Sequence, residues 1–227
     1  MTDIQLYSEI CGSGEPLVLL HGNGEDRTYF HGQIPYLAKR FTVYAVDTRG
    51  HGRSPLGEKP FTLSQFADDL KDFLAEHGIR KAHVLGFSDG ANTAMLFALR
   101  YPERLFSLVL NSGNLDPDGL VPALIEELNA RYAIVQNAQT AQQRREAALL
   151  KLMLLEPQIK PEELAAIRVP TLVIAGDHDL IPEAHTRLIA KSIPNASLVF
   201  LPGTHAVAEE SPDAFNAALG AFYESIG

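Results

Sequence analysis

The sequence predicts an α/β fold: a mostly parallel central sheet with helices on both faces and a small helical cap over one end. Three observations carry that expectation. Short, nearly unbroken apolar runs alternate with longer stretches of helical period, the pattern of strand–helix–strand units whose sheet is buried on both sides. One of those runs leads directly into GFSDG, residues 86–90, a serine between two glycines, and a helical stretch follows it. Residues 114–168 break the alternation, because they carry helical periodicity and no strand pattern.

In chain order, the strand candidates are LYSEIC (6–11), LVLL (17–20), TVYAV (42–46), AHVLGF (82–87), LFSLVL (105–110), TLVIAG (171–176) and SLVF (197–200). Thr62 and Gln65 form a capping-box pattern ahead of Phe66, Leu70, Phe73 and Leu74, which share one helical face, and Gly78 stands where that helix stops. A second helix follows GFSDG over residues 91–101. In residues 114–168, Leu120, Leu124, Leu128 and Tyr132 keep one helical period, QNAQTAQQRREAA reads as a mobile helix or connector, and ALLKLMLLEP follows. The domain reading is therefore a core of residues 1–113 and 169–227 with residues 114–168 as a helical cap insertion. Ser211 and Pro212 read as N-cap and first residue of a last helix with Phe215, Leu219, Phe222 and Ile226 on its apolar face.

Composition narrows the function. A chain of 227 residues fits one domain, alone or with a modest insertion. With 19 Lys+Arg against 28 Asp+Glu the formal charge is −9, which disfavours nucleic acid and anionic membranes and mildly favours neutral or cationic ligands. The start, MTDIQLYSEI, lacks a basic segment followed by an apolar one, and no apolar run approaches the ~20 residues of a membrane helix. Cys11, the single cysteine, has no intrachain disulfide partner, which suits a reducing compartment, and the expectation is a cytoplasmic protein. Neither a zinc-ligand spacing nor a phosphate-binding glycine loop occurs, so no metal or cofactor is expected, and the expected partner is a small-molecule substrate. Oligomeric state is not legible.

The strand–GFSDG–helix order places Ser88 on a strained strand-to-helix turn of the kind that exposes a nucleophilic hydroxyl. A serine hydroxyl attacks a carbonyl only when a base takes its proton and a third group orients the base. His205, in GTHAVAEESPDAF after SLVF, is the candidate base, and AGDHD after TLVIAG offers Asp177 and Asp179 as the orienting acid. Two backbone N–H groups suffice to stabilise the oxyanion of acyl transfer, and Asp89, at the start of the helix behind Ser88, supplies one.

LLHGNG (19–24), VDTRGHGRS (46–54), GFSDG, AGDHD and GTHAVAEESPDAF occur in the order found in α/β-hydrolases, and the chain resembles that family over most of its length. The resemblance implies the α/β-hydrolase fold and a serine hydrolase of carboxylesterase type acting without a cofactor. Its G-x-x-D pattern selects Asp179 over Asp177, while members that place the acid after the preceding strand leave Asp116 as an alternative. The family's H-G-x motif implies that the second oxyanion donor is Asn23, with Gly22 and Gly24 letting the loop approach substrate, and that His21 is structural. VDTRGHGRS shapes a loop beside the site through its glycines, and His51 and Arg53 are expected to be structural. The Ser-Asp-Gly elbow is similar to that of the valacyclovirase (biphenyl hydrolase-like) enzymes, in which this aspartate meets the ammonium of an amino-acid ester. Two readings of the Asp89 side chain stay open: a cation site, or a carboxylate stabilised at a helix N-terminus. Leu124, Leu128, Tyr132, Leu152 and Met153 are expected to line the substrate pocket beneath the cap. Relatives with this fold also hydrolyse carbon–carbon bonds or perform cofactor-free perhydrolysis with the same three residues, and a non-catalytic ligand receptor is the alternative outside enzymes.

Overall fold

Seven strands form one sheet in the computed structural model, which describes residues 3–137 and 139–227. They are β1 (Ser8–Gly12), β2 (Glu15–Leu20), β3 (Phe41–Val46), β4 (Ala82–Phe87), β5 (Leu105–Asn111), β6 (Thr171–Gly176) and β7 (Ala196–Leu201). The order is β1-β3-β2-β4-β5-β6-β7, with every pairing parallel except that of β1 with β3. The helices are α1 (Ile34–Leu37), α2 (Leu63–Glu76), α3 (Asp89–Arg100), α4 (Pro122–Val135), α5 (Ala141–Leu155), α6 (Glu183–Ser192), α7 (Val207–Glu210) and α8 (Pro212–Ser225).

The strand alternation explains why the apolar runs are unbroken. Val18, Leu20, Val84, Leu108 and Leu110 turn to one face, against Leu70 and Phe73 of α2 and Ala94 and Phe97 of α3. Leu17, Leu19, Leu85, Val109 and Ile174 turn to the other, against Phe30 and the α8 residues Phe215, Leu219 and Phe222. Both faces are buried, so the runs are almost wholly apolar, and the buried His83 of β4 and Ser107 of β5 satisfy each other through a 2.7 Å hydrogen bond.

Some local readings need correction. Leu6 and Tyr7 lie ahead of β1, because the Tyr7 N–H donates to Ser54 Oγ at 2.8 Å and its carbonyl accepts from the Asp47 N–H. Thr62 caps α2 by accepting from the Gln65 N–H, but the Gln65 side chain donates to Asp69 Oδ1 at 2.8 Å and does not complete a capping box. Ser211 precedes α8 without capping it, since its hydroxyl donates to the Pro202 carbonyl. The polar tract ahead of α5 holds a true capping box, formed by Thr140 and Gln143; Ala138 in that tract lies outside the described residues.

Between β5 and β6 the described residues contain α4, α5 and two short 3-10 turns but no strand. Leu128, Val135 and Leu150 bury between α4 and α5. Leu152 reaches the opposite way and packs on Leu63 and Phe66 of α2. That contact brings α5 down beside the carboxyl ends of the central strands.

Candidate functional site

Ser88 follows β4, the middle strand of the sheet, and stands just before α3 with φ 52° and ψ −119°. A non-glycine residue at positive φ costs of order 1–3 kcal/mol and persists only where its surroundings hold it. Here the neighbours require glycine: a methyl on Gly86 would run into the Gly90 carbonyl, and one on Gly90 into the Leu20 carbonyl. The return of α3 against β4 therefore requires Gly86, and its close approach to β2 requires Gly90.

His205, after β7, and Asp179, after β6, come together with Ser88 at the carboxyl edge of the sheet. Ser88 Oγ lies 3.0 Å from His205 Nε2, and His205 Nδ1 lies 2.6 Å from Asp179 Oδ1. The Asp179 side chain is 2% exposed and also accepts from the Ile181 N–H at 3.0 Å. Burial works against its ionisation, but the hydrogen bond and charge of His205 outweigh that and hold the carboxyl below its usual range. Asp177 points elsewhere: its carboxylate, about half exposed, engages His178 Nδ1 and the Gly203 N–H. Asp116 likewise makes no hydrogen bond to His205 among the described residues; its carbonyl accepts from Asn114.

The loop after β2 is braced by two buried histidines. His21 Nε2 accepts from the Thr48 N–H at 3.1 Å, which leaves the proton on Nδ1 to donate to the Gly22 carbonyl. His51 Nε2 accepts from the Gly24 N–H at 3.1 Å while its Nδ1 donates to the Arg49 carbonyl. Burial lowers the basicity of both, His51 to about 4 with the neighbouring His21 adding to it, so both remain neutral scaffolding near pH 7. Arg53 points out to the Tyr7 hydroxyl. Among the described residues the N–H groups of Asn23 and Asp89 have no hydrogen-bond partner, and both residues line the cavity beside Ser88.

That cavity measures about 160 Å³ and is bounded by Ser88, His205, Phe87 and Asn114, by the carboxyl side chains Glu25, Asp89 and Glu156, and by Leu120, Leu124, Met153 and Leu180 on the helical side. Among the described residues its lining includes no lysine or arginine. Asp89 is 9% exposed, with Oδ2 accepting from Asn23 Nδ2 at 2.8 Å and Oδ1 from Asn92 Nδ2 at 3.2 Å. Burial raises its pKa, and the two amide donors oppose the rise. Burial also raises Glu156, whose Oε2 accepts from the Leu63 N–H, and pushes Glu25 up to about 7 against the opposing bond from the Gly22 N–H.

Of the five apolar residues expected in this pocket, the structure places Leu124 and Met153 there and the other three elsewhere. Leu128 and Tyr132 face the seam between α4 and α5, and Leu152 is spent on α2. Residues with no signal in the motifs take up the lining: Glu25 lies one position beyond the HGNG pattern, and Glu156 reaches the cavity only because α5 docks on α2. Asn92 and Asn114, linked at 2.8 Å through Asn92 Nδ2 and Asn114 Oδ1, hold Asp89 from behind. An asparagine one helical turn after Asp89 was the readable clue to that support.

Comparison with known proteins gives a consistent set. The family model described as alpha/beta hydrolase fold matches residues 15–133. RutD of Azorhizobium caulinodans, named for carbamate hydrolysis, is 30% identical over an alignment covering 99% of this chain and 97% of its own length. The human serine hydrolase BPHL is 29% identical, covering 94% of this chain and 81% of the relative. Among solved structures, the enol-lactonase from Burkholderia xenovorans LB400 superposes with a TM-score of 0.81 at 26% identity, over 97% of both chains.

Proposed function

The chain belongs to the α/β-hydrolase fold family and is a hydrolase, and on that premise we propose that it cleaves small-molecule carboxylic esters bearing an amine, through an acyl-enzyme on Ser88. The observation that carries this reading is the Ser88–His205–Asp179 line of hydrogen bonds on a positive-φ turn. His205 Nε2 takes the Ser88 proton as Oγ attacks the carbonyl, and Asp179 holds the Nδ1–H tautomer and stabilises the imidazolium. The Asn23 and Asp89 N–H groups are the donors to the developing oxyanion. His205 then protonates the leaving group, and a water activated by the same histidine releases the acid. A carbamate would enter the same sequence with a different group on the carbonyl. Residues 114–168 serve as the cap that closes this site, with Leu124 and Met153 as its contact to substrate.

The amine follows from charge. An uncharged ester must develop an oxyanion beside the buried Asp89 carboxyl in a cavity whose lining, among the described residues, has no basic side chain apart from His205. A substrate ammonium against Asp89 removes that repulsion and offsets the burial that disfavours the ionised carboxyl. Asp89→Asn, which keeps an acceptor for one of the amide donors, should therefore cut the preference for alanine p-nitrophenyl ester over p-nitrophenyl propionate by about 10- to 100-fold, the equivalent of ~1.5–3 kcal/mol for a hydrogen bond to a charged group. An unchanged kcat/KM ratio would remove the cation reading and leave Asp89 as a helix-terminal carboxylate.

A further inference from the structure

We propose that Ser112, just past β5, is a positioning residue for the orienting acid: its hydroxyl donates to Asp179 Oδ2 and holds the carboxylate in the rotamer that serves His205. The proposal rests on the reading of Ser88, His205 and Asp179 as the reacting line.

Among the described residues, Ser88 and Ser112 are the two that adopt positive φ without being glycine, at 52° and 55°. The elbow explains Ser88, whereas no sequence motif accounts for Ser112. Glycine would take that conformation without strain, and Gly113 is the next residue. A serine held there against its backbone preference points to a use for its side chain. Ser112 is 1% exposed. Its N–H donates to the Ile174 carbonyl at 3.0 Å, and the neighbouring Asn111 carbonyl accepts from the Ser88 N–H at 2.9 Å. The turn is thereby tied both to β6, which leads to Asp179, and to the elbow.

The surrounding hydrogen bonds leave the hydroxyl proton one good destination. Ser112 Oγ accepts from Asn111 Nδ2 at 2.9 Å, and the same nitrogen donates to the Ile174 carbonyl at 3.3 Å, which fixes the orientation of the amide. The proton of Ser112 then has two acceptors: the His205 carbonyl, at a long 3.4 Å, and Asp179. The bonds from His205 Nδ1 and the Ile181 N–H both fall on Asp179 Oδ1, and Oδ2 is buried without a partner. Burial works against the ionised carboxyl, and after His205 the Ser112 hydroxyl does most to oppose it. A hydrogen bond to a carboxylate is roughly twice as strong as one between neutral groups, so a small turn of the hydroxyl brings its proton to Oδ2. With both oxygens held, the carboxylate stays aimed at His205 Nδ1.

The test is the pH dependence of p-nitrophenyl acetate hydrolysis by wild type, Ser112→Gly and Ser112→Ala. Glycine accepts the positive φ and removes only the hydroxyl, so Ser112→Gly decides should Ser112→Ala not fold. In the variants kcat should fall about tenfold, the scale of a hydrogen bond to a charged group. The acid limb of kcat/KM should move up by about half a pH unit or more, because a carboxylate with one donor fewer holds the shared proton of the Asp179–His205 pair more tightly. Glu25 in the loop after β2, Tyr29 beyond it and Asp89 at the start of α3 face that pair. They are common to all three proteins, so the difference between the profiles reports Ser112. A serine that only shapes its turn would change stability and leave the limb in place. An acid limb that does not move in folded Ser112→Gly, whatever its rate, overturns the proposal and leaves the hydrolase reading standing. Absence of Ser88-dependent turnover in wild type overturns both.

Discussion

Asp179→Asn is expected to lower kcat by about four orders of magnitude, the scale seen when the acid of a serine–histidine pair is replaced by its amide. The carboxylate accepts from His205 Nδ1 at 2.6 Å and so keeps the proton on that nitrogen, leaving Nε2 free to accept from Ser88. An asparagine amide can donate to Nδ1 instead, which moves the ring proton to Nε2, where it faces the serine it should deprotonate. Asp177→Asn is the control: its carboxylate serves His178 and the Gly203 N–H at the surface, and kcat should stay within about threefold of wild type, since surface changes away from such networks have small effects. Steady-state hydrolysis of p-nitrophenyl acetate by both variants decides between them. A large loss in Asp177→Asn with Asp179→Asn active would transfer the orienting role.

The largest effect on stability is expected away from the reacting atoms. Arg49 is fully buried; its Nε and Nη2 donate to the two oxygens of Asp69 at 2.7 and 2.8 Å, and Nη1 donates to Asp3 and to the Leu56 carbonyl. This cluster ties α2 and the N-terminal segment to the loop whose His51 braces Gly24. Asp69→Ala leaves the guanidinium without its bidentate partner, and breaking a buried pair in this way costs about 3–5 kcal/mol. For a chain of this size each kcal/mol is worth roughly 2–4 °C, so Tm should fall by roughly 6–20 °C by calorimetry. The double variant Arg49→Met with Asp69→Leu should recover most of that loss, because the penalty belongs to the stranded charge and not to the lost contact. A Tm within about 2 °C of wild type for Asp69→Ala would show that water reaches Arg49.

The sheet was legible because each of its central strands is buried on both faces and so reads as a nearly unbroken apolar run, interrupted only by such buried polar residues as His83 and Ser107; TLVIAG could hardly be anything else. The site was legible where chemistry demands a residue type at a fixed place on the topology, as with Ser88 between the glycines that α3 and β2 crowd. The helical segment was not, since α4 and α5 are apolar on more than one side and periodicity does not say which neighbour each side meets. Leu128 and Tyr132 turn to the α4–α5 seam and Leu152 to α2, while Glu156, just past α5, lines the cavity beside Asp89. That convergence is tertiary, and no local spacing encodes it. Asp89 shows both limits: its place in the motif was plain, whereas its burial and its amide donors from Asn23 and Asn92 became visible only with the fold.

The most direct measurement of the central claim is intact mass after treatment with a fluorophosphonate probe, run on wild type and Ser88→Ala together with turnover of p-nitrophenyl acetate. A nucleophile activated by His205 should give one adduct on wild type, mapped to Ser88, with neither adduct nor turnover in a Ser88→Ala protein of unchanged circular dichroism. Folded wild type that takes no adduct and turns over no ester, or a Ser88→Ala variant that still does both, would contradict it.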